Sequence, residues 1–216
     1  MLYPMAAVKG RRYDATGRQA GSHETRQRIL SAARSAMVEH GYHGATVARI
    51  AQDAGVNVDT VYALVGRKPV ILHELIEQAI SGTNEAVPAP ERDYVMAIRA
   101  EPDPARKLAI YAAAMRSIMQ RLAPLFMALR DASSTDSEAS AVWHQISERR
   151  AGNMRLLAED LRQAGGLRLS ARDTADVLWL SNSAEVFTML TVERGWSPAR
   201  YERWLTDTWQ RLLLPD

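Results

Sequence analysis

The chain contains no cysteine. That excludes disulfides, thiolate metal sites and cysteine nucleophiles, and it fits a reducing cytoplasm, the location expected here. No run of about 18 apolar residues occurs, so neither a membrane-spanning helix nor a membrane partner is expected. The N-terminal stretch MLYPMAAVKGRR places its basic residues after a very short apolar segment, the reverse of a secretory signal. No alternating strand pattern runs beyond a few residues, and no internal repeat or Gly-rich phosphate loop is present. Metal ligands are not closely grouped: His40 and His43 lie three apart, but Gly41 breaks the helix between them. Neighbouring carboxylates such as Glu159 and Asp160 point to different sides of a helix. These absences argue against an enzyme and imply no cofactor.

What remains is an ordinary globular composition, 47% apolar and 24% charged. The net charge of +2 hides an asymmetry. Residues 1–75 hold ten Lys/Arg against six Asp/Glu, while residues 76–216 hold seventeen against nineteen. A basic N-terminal third on a slightly acidic remainder points to a polyanion-binding end and a body with another task.

The apolar period is helical throughout, so the chain reads as all-α. Residues 1–23, with Gly10, Gly17 and Gly21 and no apolar period, read as a flexible basic arm carrying Lys9, Arg11, Arg12 and Arg18. A first helix follows from 24 to 40, with Ile29, Leu30, Ala33, Ala36 and Met37 at helical spacing and Gly41 at its end. Thr46 caps a short second helix, Gly55 breaks it, and Asn57 caps a third over 58–65. Gly66 ends the third, and Pro69 suits the first turn of a fourth. The tract SGTNEAVPAPERD, 81–93, is a linker. Beyond it the pattern predicts helices near 91–99, 104–121, 124–132, 137–164, 171–193 and 198–213.

A short helix delivered by a Gly-containing turn after another short helix is a helix-turn-helix, whose second helix enters the major groove. At 100° per residue Val58, Val61 and Val65 share one apolar arc, Asp59, Thr60 and Ala63 face away, and Tyr62 and Leu64 lie on the flanks. Thr60 and Tyr62 are hydroxyl donors suited to phosphate oxygens. Lys68 and the free N–H groups opening the fourth helix form a second phosphate clamp, and Thr46 can bond phosphate as well as cap. Asp59 either accepts from a cytosine amine or complements the helix dipole. Arg11 and Arg12 either enter the minor groove or belong to a solvated tail.

The stretch ETRQRILSAARSAMVEHGYHGATVARIAQDAGVNVDTVYALVGRKPVILHELIE resembles the DNA-binding domain of TetR-type bacterial transcription regulators. The matching features are Ile29-Leu30, Ala32-Ala33, Gly41-Tyr42, Thr46-Val47, Ile50-Ala51, Ala54-Gly55-Val56, Thr60, Tyr62 and Gly66 with Lys68. The resemblance implies a homodimer on double-stranded DNA, binding by three N-terminal helices over 24–66, a connecting helix over 67–82, and a helical effector and dimerisation body over 83–216. This chain departs from the family at Val58, Ala63, Leu64 and Val65, which leaves few hydrogen-bonding groups to read bases. Ala63 and Leu64 can still meet a thymine methyl.

In the body, Met115, Met119, Phe126, Trp143 and Trp179 are large apolar groups suited to lining a cavity, with Asn182 a polar group to orient a ligand. The last helices carry Val186, Phe187, Leu190, Trp204, Leu205 and Trp209, more apolar surface than a terminal hairpin buries alone, and these are the expected dimer interface. The function expected is a TetR-like repressor released from a near-palindromic operator by a small apolar or amphipathic ligand. The alternative is a DNA-binding regulator without a small-molecule effector, controlled by a protein partner or by abundance.

Overall fold

The computed structural model describes residues 15–215. Among them are ten α-helices and no strand. The first is α1, Ala15–Gly44, interrupted at Gly41, whose backbone (φ 68°, ψ 179°) lies where only glycine is at ease. The first helix therefore starts before residue 24, where the sequence placed its beginning. Residues 15–23 carry no apolar stripe, so the apolar period does not mark this early start. Arg11 and Arg12 lie outside the described residues.

Next come α2, Val47–Ala54, α3, Val58–Leu64, and α4, Lys68–Ser81. Thr46 Oγ1 accepts from Arg49 N (3.2 Å) and caps α2, and Gly55 closes it in the left-handed conformation (φ 66°). Between its helical end residues, Ser81 and Asp93, the expected linker over 81–93 is irregular apart from one 3-10 turn, Ala89–Glu91. The body comprises α5, Asp93–Ala100, α6, Pro104–Ser133, α7, Ser137–Gly165, α8, Ala171–Ser181, α9, Ala184–Thr188, and α10, Pro198–Leu213. A π turn, Met189–Glu193, extends α9.

In the body, two boundaries differ most from the expected ones. The helices expected over 104–121 and 124–132 are one, because α6 runs through Pro124 with Leu122, Ala123, Leu125 and Phe126 all buried. That burial outweighs the roughly 3 kcal/mol that an interior proline costs. The helix expected over 171–193 breaks at Asn182 and Ser183, where the Ser183 hydroxyl accepts from Val186 N (3.2 Å) and starts a new helix. The long central helix α6 touches α1, α4, α5, α7, α9 and α10, so the N-terminal helices and the body share one continuous core.

Candidate nucleic-acid interface and ligand cavity

Helix α3 is held by few residues. Val61 is fully buried and Val65 nearly so, which docks one side of the helix on α1 and α2. Asn57 Oδ1 accepts from both Thr60 N and Thr60 Oγ1 at 2.7 Å, closing the cap. The Thr60 hydroxyl proton, expected to serve a phosphate, is thus committed to the cap and only its acceptor pairs are free. Val58 leaves the apolar arc assigned to it and is 37% exposed, whereas Leu64 packs partly into the core. Thr46, Asp59 and Ala63 are exposed, and Tyr62 is 48% exposed. The outer face of α3 is thus Val58, Asp59, Tyr62 and Ala63.

Basic residues of α1 brace this unit from behind. Arg26 Nε donates to Leu64 O (3.2 Å) and its guanidinium pairs with Glu74, while Arg28 Nη1 donates to Ala54 O (3.1 Å). Two further exposed cations that spacing did not single out, Arg49 and Arg67, flank the unit. Arg49 meets the His40 ring, and Arg67 Nη1 pairs with Glu138 at 2.6 Å. Their positions, just inside α2 and just before α4, were readable; their orientation was not.

Lys68 begins α4, but its ammonium turns inward. Nζ donates to Tyr42 O (2.7 Å) and lies 3.9 Å from the centre of the Tyr42 ring. Burial lowers its pKa, and Asp136 opposes that shift. The buried Tyr42 in turn donates its hydroxyl to Asp136 Oδ2 (2.6 Å). Asp136 also caps α7, accepting from Glu138 N (2.9 Å) and Ala139 N (3.1 Å). These three bonds hold the Asp136 carboxyl below the usual carboxylate range, the Tyr42 hydroxyl first among them. Burial and that same bond push the Tyr42 phenol up. A further bond links Thr135 Oγ1 and His43 Nε2 (3.1 Å). The end of α1, the start of α4 and the α6–α7 turn therefore form one polar joint. Tyr62 and Lys68 meet at this joint, lining a shallow cleft with Tyr42, Arg67 and Asp136.

In the body, a cavity of about 360 Å³ opens between α5, α6 and α7. Of the residues expected there, Met115, Met119, Phe126 and Asn182 line it. Trp143 does not; it stands behind Phe126, ring centres 4.7 Å apart. Trp179 also lies outside, on the surface, with the Arg150 guanidinium 4.8 Å from its ring centre. Nothing along the chain marks the polar end. Asn182, fully buried, donates to Tyr111 Oη (2.7 Å) and accepts from Arg150 Nη2 (2.7 Å), although the three residues come from the α8–α9 break, α6 and α7. Burial pushes the Tyr111 phenol up and the Arg150 guanidinium down.

The expected interface set divides. Phe187, Leu205 and Trp209 are buried in the protomer's own core, Trp209 through an Nε1 bond to Ser181 Oγ (2.7 Å), so they have no surface left to offer. Val186, Leu190 and Trp204 are half-buried at its edge. The apolar groups left outside on this part of the chain are Trp179, Leu180, Met189, Val192 and Leu212. Counting large apolar residues on two helices could not tell the inward stripe from the outward one.

Against known proteins, residues 29–65 match the family model described as bacterial regulatory proteins, tetR family. This chain is similar to that family over its helix-turn-helix. Its whole-chain fold agrees with that of solved transcriptional regulators. One from Saccharomonospora viridis in complex with choline is 18% identical, with a TM-score of 0.71 over 90% of this chain and 100% of that one. NalD, the secondary repressor of the MexAB-OprM multidrug efflux pump in Pseudomonas aeruginosa, is 20% identical, with a TM-score of 0.70 over 91% and 99%. FadR from Bacillus subtilis in complex with stearoyl-CoA is 20% identical, with a TM-score of 0.67 over 85% and 96%. No curated protein matches. Among the described residues, no helix is long and apolar enough to cross a membrane.

Proposed function

We propose that the chain is a homodimeric repressor that leaves a near-palindromic operator when a small amphipathic ligand fills the body cavity. The observation that carries this reading is the polar joint. The helices α6 and α7 line the cavity, and their junction, through Thr135 and Asp136 of the turn and Glu138 at the start of α7, holds His43, Tyr42 and Arg67 beside the helix-turn-helix. A ligand that prefers one α6–α7 arrangement biases the joint and with it the recognition helix, through differential affinity for two states. Ligands in the S. viridis regulator (choline) and in FadR (stearoyl-CoA) support an effector-binding body, and the cavity favours this over a regulator without an effector.

On this reading residues 24–66 form the DNA-binding unit, 67–82 the connecting helix and 83–216 the body. Two α3 helices, one per subunit, sit in successive major grooves about 34–36 Å apart. Val58 and Ala63 read by apolar contact, Leu64 having turned to the core, while Tyr62, Thr46 and the two uncommitted Lys68 donors hold phosphates. The partner subunit covers the outward strip of Trp179, Leu180, Met189 and Val192. Selection of bound duplexes from a random pool tests the proposal. An enriched inverted repeat supports it, and a pool that stays random refutes it.

A further inference from the structure

The cavity has an apolar wall and several cations in its lining. Met115, Ile118, Met119, Leu122 and Phe126 make the wall, while Arg92, Arg99, Arg149 and Arg150 also reach the lining, against one acid, Asp160. Pairing removes some of these charges. Lys107 Nζ sits 2.7 Å from Asp160 Oδ2, and Arg149 pairs with Glu77. Arg92 donates to a neutral acceptor, Val87 O (3.0 Å), and Arg99 is exposed.

Arg150 is the unusual group. Neutral acceptors orient it: Asn182 Oδ1 takes Nε (3.2 Å) and Nη2 (2.7 Å), and Trp179 O also takes Nη2. Among the described residues no carboxylate lies within ion-pair distance of it; the nearby Glu185 is already paired with Arg130 at 2.8 Å. Its Nη1 group has no hydrogen-bond partner among those residues either. A half-buried guanidinium with its charge uncompensated and two donors unused is a preformed seat for an anion. The rings do not offer a cage for a cation, because Tyr111 stacks with Tyr94 (6.2 Å) and Trp209 (5.5 Å).

We infer that the effector is an amphipathic carboxylate, its apolar body along Met115, Met119 and Phe126 and its acidic group on Arg150 Nη1. This deepens the proposed function and rests on it for the effector role, but binding itself is measured without DNA. The probes are decanoate, decanol and decyltrimethylammonium, titrated calorimetrically into the full-length protein. Decanoate is expected to bind at least about tenfold more tightly than either other probe, the gain from one charge-assisted hydrogen bond. Arg150→Gln should weaken decanoate by about ten- to a hundredfold and leave decanol within about twofold, which also shows that the cavity persists.

The inference is overturned if decanol or decyltrimethylammonium binds as tightly as decanoate. It is equally overturned if none of the three binds, or if Arg150→Gln retains decanoate. Should that variant fail to fold, the ranking of the three probes on the unaltered chain decides. Decanoate that binds with the expected ranking yet leaves duplex affinity unchanged would uphold the carboxylate seat on Arg150 and refute its effector role and ligand release.

Discussion

Replacing Tyr42 with Phe removes one hydroxyl from the joint and little else, since the ring stays buried over Lys68. The lost bond is short (2.6 Å) and runs to an ionised carboxylate. Such a bond contributes about 1.5–3 kcal/mol when fully buried. Asp136 keeps its two backbone donors, and water can replace the phenol on its exposed side. The expected cost is therefore about 1–2 kcal/mol, or a fall in melting temperature of roughly 2–8 °C for a chain of this size. A double-mutant cycle with Asp136→Ser isolates the pair, because serine still caps α7 but is too short to reach the phenol. Tyr42→Phe should then cost about 1 kcal/mol less in the Asp136→Ser background than in the natural one. Equal costs, within about 0.5 kcal/mol, would mean that the two residues do not act together and that the joint is only proximity.

Acid should loosen the same joint. The Asp136 carboxyl is depressed in the folded chain, so its contribution is present above the unfolded value of about 3.9 and fades as pH falls through the lower folded value. Tyr42→Phe should shrink that acid-sensitive part of a pH–stability curve. Tyr62→Phe should weaken binding to all duplexes about equally, by roughly fivefold for one hydrogen bond, and a change in preferred bases would refute the phosphate assignment. Lys68→Ala should weaken all duplexes likewise and also lower the melting temperature, because it frees Tyr42 O. Trp209→Phe should destabilise each protomer by about 1–3 kcal/mol through the lost Ser181 bond, without changing the dimer dissociation constant beyond that loss. Val192→Asp should do the reverse, raising that constant in sedimentation equilibrium while sparing the melt of the monomer.

The N-terminal unit was legible because its signals are local. Thr46, Asn57, Gly41 and Gly55 act on their own turns, so their residue types alone put them where the structure has them. Where tertiary contacts decide, sequence reasoning failed. Pro124 reads as a break between two helices, yet buried neighbours on both sides carry one helix through, and Trp209 reads as an interface residue although it is enclosed. The same limit applied to the cavity. Met115, Met119 and Phe126 were visible as large apolar groups, but the Arg150–Asn182–Tyr111 cluster joins residues up to 71 positions apart and has no signature along the chain. The inward turn of Lys68 was equally hidden, because its acceptor, Tyr42 O, lies 26 residues away.

The most direct test of the central claim is an anisotropy titration of the natural chain against its selected duplex at a series of salt concentrations. The account predicts a two-subunit complex on an inverted repeat, with log affinity falling linearly and steeply with log salt as phosphates are neutralised. A single subunit bound per duplex, or an affinity indifferent to both salt and sequence, would contradict it.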